Sequence, residues 1–202
     1  MYITEILPFG GRQSKKMRIR LDDGSYISLY KSEVRRYGLT EGMDVDDGLW
    51  DRLMQEVFIP RARFRAMHLL EKQDRTRSGL LKKLSESGYP RLAVEAAVEY
   101  VEGYHYIDDD RYARSYVRYH QSGRSRRRIM TDLRQRGVSD EVIQEALEAE
   151  YTASEEDMIR QTLMKRHFDP VTADIRDRQR IYRFLLGRGF RYEDIDRALQ
   201  KG

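Results

Sequence analysis

Three stretches of this 202-residue chain can be laid over one another, and the column they share limits the fold more than any other feature. Residues 80–89, 129–138 and 181–190 align so that Leu84, Leu133 and Leu185 coincide, followed by Gly88, Gly137 and Gly189, then by Tyr89, Val138 and Phe190. The successive spacings are 49 and 52 residues, and the agreement continues downstream through Val94, Ile143 and Ile195. Ala97, Ala146 and Ala198 match next, and then Val98, Leu147 and Leu199. A glycine just past a helix adopts the left-handed backbone that closes it, and the apolar residue behind it folds back on the last turn. Each unit therefore reads as helix, glycine stop, apolar residue, helix. Pro90 suits the first turn of the helix that follows, and Ser139 is a natural N-cap ahead of Asp140 and Glu141.

A further amphipathic helix precedes each pair. In the second unit Tyr112, Ala113, Tyr116, Val117 and His120 fall on one face of a 3.6-residue period. The first unit offers Ala66, Met67, Leu69 and Leu70, the third Met158, Ile159 and Leu163. Three helices per unit and three units predict a mainly α protein of tandem three-helix repeats, stacked as an elongated or curved array.

The first 57 residues have a different period. Met17, Ile19 and Leu21 alternate with charges, Asp22-Asp23-Gly24 supplies a tight turn, and Ile27 and Leu29 alternate again, which predicts a β-hairpin. The run Tyr2 to Leu7 adds a third strand ahead of Pro8. Two short helices follow, near residues 32–37 and 47–57, the second carrying Trp50. So small an α/β element buries little by itself and is expected to pack on the first helical unit. The expected division is a small N-terminal α/β domain over 1–57 and repeats over 58–107, 108–152 and 153–202.

Composition narrows the function classes. The absence of cysteine removes disulfides, thiolate metal sites and a cysteine nucleophile, and it fits a reducing, cytoplasmic location. No basic leader with an apolar stretch behind it opens the chain, and no run of about 18 apolar residues occurs, so neither secretion nor a membrane span is expected. Phosphate loops, dinucleotide fingerprints, zinc-protease motifs and nucleophile elbows are missing. His68, His105, His120 and His167 are scattered at spacings that suit no metal. Asp108-Asp109-Asp110 stands just before a helix, where carboxylates cap exposed N–H groups. The chain is thus expected to be no enzyme and to need no cofactor or metal.

The net charge of +4 is small, but its distribution is not even. Residues 111–137 hold nine arginines against one acid, Asp132, while residues 138–157 hold eight acids and no base. Arginine outnumbers lysine 30 to 8, a bias toward planar, bidentate contact with phosphate or carboxylate. A helix–glycine–helix unit invites a helix-turn-helix reading in which the later helix enters the DNA major groove. In the second unit that helix carries Asp140, Glu141, Glu145, Glu148 and Glu150, which phosphates would repel. The basic residues sit on the helix before it and its leading loop, as Arg124, Arg126, Arg127 and Arg128, with a thinner counterpart in Arg75 and Arg77. Arg77, Arg126 and Arg178 occupy one repeat column, which suggests a long, repetitive partner such as a nucleoprotein filament. Of the six tyrosines within residues 100–119, Tyr112 and Tyr116 lie on the apolar face. Tyr104 and Tyr119 are the candidates for exposed, base-stacking roles.

Several of these residues occur together in a familiar order. Arg75-Thr76-Arg77-Ser78 followed by Leu81, Leu84 and Gly88, then Tyr106-Ile107-Asp108-Asp109 with Tyr112-Ala113, then Gly123-Arg124 with Ile129, Leu133 and Gly137, resemble the RecX family of recombination regulators. The resemblance covers about residues 58 to 202. It implies tandem three-helix repeats and a non-enzymatic protein that binds RecA filaments on DNA, usually inhibiting strand exchange and ATP hydrolysis; separately, the chain is expected to be a monomer. It also implies direct affinity for single-stranded DNA and, secondarily, for double-stranded DNA. By position it implies an interface at Arg75, Arg77, Arg124, Arg126, Arg127 and Arg128. The N-terminal hairpin domain and His167-Phe168-Asp169-Pro170 in the third unit depart from the family pattern. A stand-alone DNA-binding module or transcription regulator is the alternative, and a purely structural adaptor is a third reading.

Overall fold

The computed structural model describes residues 1–10 and 14–200, which divide into two compact units, Met1–Ile107 and Asp108–Gly202. The first unit opens with three antiparallel strands in sequence order: β1 (Ile3–Pro8), β2 (Lys16–Leu21) and β3 (Tyr26–Tyr30). The register sets Ile19 against both Ile6 and Ile27, so one face of the sheet is apolar along its length. Gly24, at φ +81°, makes the turn between β2 and β3 that the Asp-Asp-Gly run predicts. The strand at the N-terminus is pinned by Ile3 N–H to the Met43 carbonyl at 3.0 Å and by the terminal ammonium against Asp44 at 3.0 Å.

Helix α1 (Lys31–Arg36) follows, and then α2 (Asp47–Leu53), capped by the Asp46 carboxylate on Leu49 N–H. The expected end of this helix near residue 57 is not observed. A π-helical turn, Met54–Phe58, carries the chain straight into α3 (Ile59–Lys72). Pro60 explains the turn: it has no N–H to donate back, and the widened ladder, with Ile59 N–H on the Met54 carbonyl, accommodates it without ending the helix. On α3 the buried face is Ala62, Ala66 and Leu69, whereas Met67, expected on it, is exposed. Helices α4 (Arg77–Ser85) and α5 (Arg91–Gly103) complete this unit, with Pro90 as the N-cap of α5 rather than in its first turn. The strands and α3 to α5 share one apolar core running from Ile3 to Ile107, as expected for an N-terminal element too small to bury its own face.

The second unit holds two helix triplets. Helices α6 (Asp109–His120), α7 (Arg126–Gln135) and α8 (Asp140–Glu150) enclose a core of Ala113, Val117, Ile129, Leu133, Ile143 and Leu147. Helices α9 (Glu155–Lys165), α10 (Ile175–Gly187) and α11 (Tyr192–Gln200) enclose Ile159, Leu163, Ile181, Leu185, Phe190 and Ile195. The repeat columns are the cores: every aligned Leu, Val, Ile and Ala is buried, and Tyr89 alone among them is half-buried.

The glycine column takes the backbone the sequence predicts, at φ +80° for Gly88, +77° for Gly137 and +85° for Gly189. Behind Gly137 and Gly189, the N–H groups of Val138 and Phe190 reach the carbonyls of Leu133 and Leu185, so the apolar residue is tied to the last turn. Gly189 is constrained twice, because a Cβ there would stand 2.7 Å from Ser125 Oγ and 3.2 Å from Arg128 N. Gly189→Ala is therefore expected to destabilise the second unit by at least about 1 kcal/mol, measured by urea unfolding of the full chain. An unchanged midpoint would contradict this reading of the turn.

Candidate polyanion interface on the second helices

The arginines singled out by sequence meet different fates. Ser125, fully buried, caps α7 by accepting from Arg128 N–H at 3.2 Å and donates to the Arg188 carbonyl at 2.9 Å, so the helix start is tied to the third triplet. Arg126 N–H, at the first position of α7, donates to Glu155 Oε1 at 2.6 Å. The Tyr151 hydroxyl donates to the same carboxylate, and burial together with that negative charge pushes its pKa well above the ordinary phenol range. The backbone at the head of α7 is thereby held from two sides.

Asp132 organises the basic cluster. It is the one acid among nine arginines and is buried on α7, where Arg124 reaches Oδ2 at 2.6 Å and Arg128 reaches Oδ1 at 3.1 Å. Arg124 also donates to the Tyr116 hydroxyl at 2.6 Å. Sequence reasoning passed over Asp132 as a mere subtraction from the charge. Its spacing of four residues from Arg128, on the apolar side of the helix, was the available signal. Arg126 and Arg127 make no ion pair among the described residues, and Arg127 is exposed. Two arginines are thus fixed by a buried carboxylate, while Arg127 is exposed and Arg126 half-buried.

The sign of these charges is unusual for their place. Every other helix of the second unit carries an acid in its first turn, as the positive end of the helix dipole favours, while α7 carries three arginines and no acid. In the first unit α4 likewise begins on Arg77 with no acid in its first turn. Arg77 is paired with Glu102 at 3.2 Å, and Arg75 buries an Nε that has no hydrogen-bond partner among the described residues. The third column member differs. Helix α10 starts a turn earlier relative to its glycine, so Arg178 lies inside the helix and turns back on the Pro170 carbonyl at 2.5 Å. The extra turn of α10 removes Arg178 from equivalence with Arg77 and Arg126. Of the tyrosines, Tyr116 is buried and both Tyr104 and Tyr119 are exposed. Asp108 caps α6 by accepting from Arg111 N–H at 2.8 Å. Among the described residues no group of three His, Asp or Glu side chains is placed to hold a metal ion.

A chain of three-helix domains closed by left-handed glycines, with arginine heading the second helix of two of them, defines a helical-repeat protein with basic helix ends. Residues 108–147 match the second three-helix domain of RecX, and residues 154–199 match the third. The regulatory protein RecX of Caldanaerobacter subterraneus subsp. tengcongensis is 30% identical over 202 residues, covering 98% of each chain. That of Clostridium acetobutylicum is 26% identical over 94% of this chain and 91% of its own. A crystal structure of a regulatory protein RecX superposes with a TM-score of 0.63 at 25% identity, over 96% of this chain and 97% of that one. The chain belongs to the RecX family of regulatory proteins. No helix among the described residues is long and apolar enough to cross a membrane.

Two outcomes test the geometry. Asp132→Asn releases Arg124 and Arg128 and is expected to cost about 1–2 kcal/mol in urea unfolding, a figure reduced because both guanidiniums are more than a third exposed. The His120 and Tyr116 rings lie tilted with centres 4.2 Å apart, and burial and then Arg124 lower the proton affinity of His120, with Asp132 opposing them and Arg136 adding a smaller effect. A base whose folded-state affinity is depressed contributes stability above its unfolded value and loses it as pH falls through the folded one. Unfolding midpoints are therefore expected to drop as acid passes below the ordinary imidazole range, and His120→Gln should flatten that part of the profile.

Proposed function

We propose that this protein regulates the RecA recombinase by binding the RecA–DNA filament and inhibiting strand exchange and ATP hydrolysis, without catalysing a reaction of its own. The observation that carries the reading is the head of α7, where Arg126, Arg127 and Arg128 crowd the positive end of a helix dipole without an acid in the turn. That placement costs stability in the free protein, and an approaching polyanion relieves the cost. DNA phosphate and acidic protein side chains both present bidentate acceptors suited to arginine. Family membership supports a regulatory role, and the resemblance noted from sequence supplies RecA as its object. The protein acts in this reading where the filament forms, in the cytoplasm.

The partly internal pairing divides the six arginines by role. Arg126 and Arg127 make contact; Arg124 and Arg128, held on Asp132, shape the surface beneath them; Arg77 supplies a weaker contact on α4, beside Arg75. A groove-reading transcription regulator is disfavoured by α8, whose Asp140 and Glu150 are paired with Arg134 and Arg118 while Glu141 and Glu145 stay exposed.

Arg126→Glu/Arg127→Glu is expected to weaken binding to RecA filaments on single-stranded DNA at least tenfold in fluorescence anisotropy. Filament affinity equal to that of the parent protein, with the helical signal intact, would overturn the assignment.

A further inference from the structure

The N-terminal sheet has a second face, turned away from the apolar core. Lys16, Arg18 and Arg20 occupy alternate positions of β2 and therefore project to one side, about 7 Å apart. Their cross-strand partners on β3 are Tyr30, Ser28 and Tyr26. Arg18 lies 4.5 Å from the ring centre of Phe9 and 5.4 Å from that of Tyr26, and Arg20 lies 5.8 Å from Tyr26. Phe9, Tyr26 and Tyr30 keep between 41% and 48% of their surface exposed. Guanidinium groups and rings thus interleave across a flat, solvated face.

One side of this strip is walled. The turn at Gly88 rests on Ser28, so closely that a Cβ on the glycine would meet Ser28 Oγ at 2.8 Å, and Lys16 Nζ reaches the Ser87 carbonyl at 3.5 Å. Arg61 on α3 covers the Tyr30 ring at 4.4 Å. Lys16 is partly buried near Arg61 and Arg65, and both burial and those like charges lower its proton affinity.

Carboxylates do not neutralise the strip. Glu33 is taken by Arg61 and by the Tyr30 N–H. Asp23 at the hairpin tip accepts from Ser25 N–H. Glu5 stands across the strands from Arg20, and no ion pair joins them. Among the described residues Lys16, Arg18 and Arg20 have no ionic partner. Cations gathered without counter-charge beside exposed rings match the chemistry of a single nucleic-acid strand: phosphates for the guanidiniums, unstacked bases for the rings.

We propose that the outward face of β2 and β3, with Phe9 and the Gly88 turn at its borders, binds single-stranded nucleic acid. Duplex DNA fits less well, because its bases are already stacked and leave the rings without partners. This site lies in the first unit and does not depend on the head of α7.

The test uses the full chain and a fluorescein-labelled oligothymidylate of about 16 nucleotides, followed by anisotropy across a salt series. Arg18→Glu/Arg20→Glu is expected to weaken binding at least tenfold and to lower the slope of log affinity on log salt by about 1.4, two phosphates' worth. Arg18→Lys/Arg20→Lys should keep the slope, which separates lost charge from lost fold. Tyr26→Ala should weaken binding about tenfold with the slope unchanged, as expected for a lost stacking contact. Iodouracil-substituted oligonucleotide should cross-link to Phe9, Tyr26 or Tyr30. The proposal is overturned if the glutamate and alanine variants bind as the parent does, if cross-links fall only in residues 108–200, or if polyglutamate competes as well as oligothymidylate. Arg126→Glu/Arg127→Glu, carried in parallel, reports on the filament-binding reading independently of this one.

Discussion

The left-handed glycine between the second and third helices of each domain is the constraint on which the rest depends. Gly88, Gly137 and Gly189 hold φ between +77° and +85°, a region other residues enter only with strain. The turn brings the third helix back across the second and lets Leu84, Leu133 and Leu185 close their cores. The missing side chain matters as much as the backbone angle at two of the three. Gly88 lies against Ser28 of β3 and Gly189 against Ser125 at the head of α7, each too close for a Cβ. The same residue therefore folds its own domain and seats it on the element that precedes it within its unit.

That seating gives the basic surface its rigidity. Ser125 is both the cap of α7 and the donor to the Arg188 carbonyl, and Glu155 holds the next backbone N–H. Three consecutive arginines consequently leave a fixed point rather than a mobile loop. The buried Asp132 accepts two neighbouring arginines and keeps them from drifting apart under their own repulsion. Charge that opposes the helix dipole is tolerated because the surrounding hydrogen bonds hold the helix end in place, a pattern expected of a surface built for a partner rather than for stability.

Much of this was legible in the sequence because the periods are strong. The glycine columns located three helix ends, alternation located the β2–β3 hairpin, and Ser139 and Asp108 stand where caps are chemically required. What sequence reasoning missed has physical reasons. The second short helix was expected to end near residue 57, and a π-helical turn carries it on past Pro60, a cooperative backbone adjustment with no local signature. Arg178 matched its column when registered on Gly189, but α10 is longer at its start, and only the position of its Asp174 cap reveals the shift. The spacing of Asp132 from Arg128 signals one of its two pairings, but the pairing with Arg124 depends on how the preceding loop folds. The cationic face of β2 shows as alternation in sequence, yet its pairing with Phe9 and Tyr26 follows from strand register.

If the helical domains act on a recombinase filament through the charge they display, the filament's ATP hydrolysis must respond to them. The most direct measurement is single-stranded-DNA-dependent ATP hydrolysis by RecA from the same source, with the protein titrated in. Suppression is expected at amounts well below one per RecA, because a filament-directed regulator acts on many subunits at once. Hydrolysis unchanged at equimolar protein, with filaments intact and the protein folded, would contradict it.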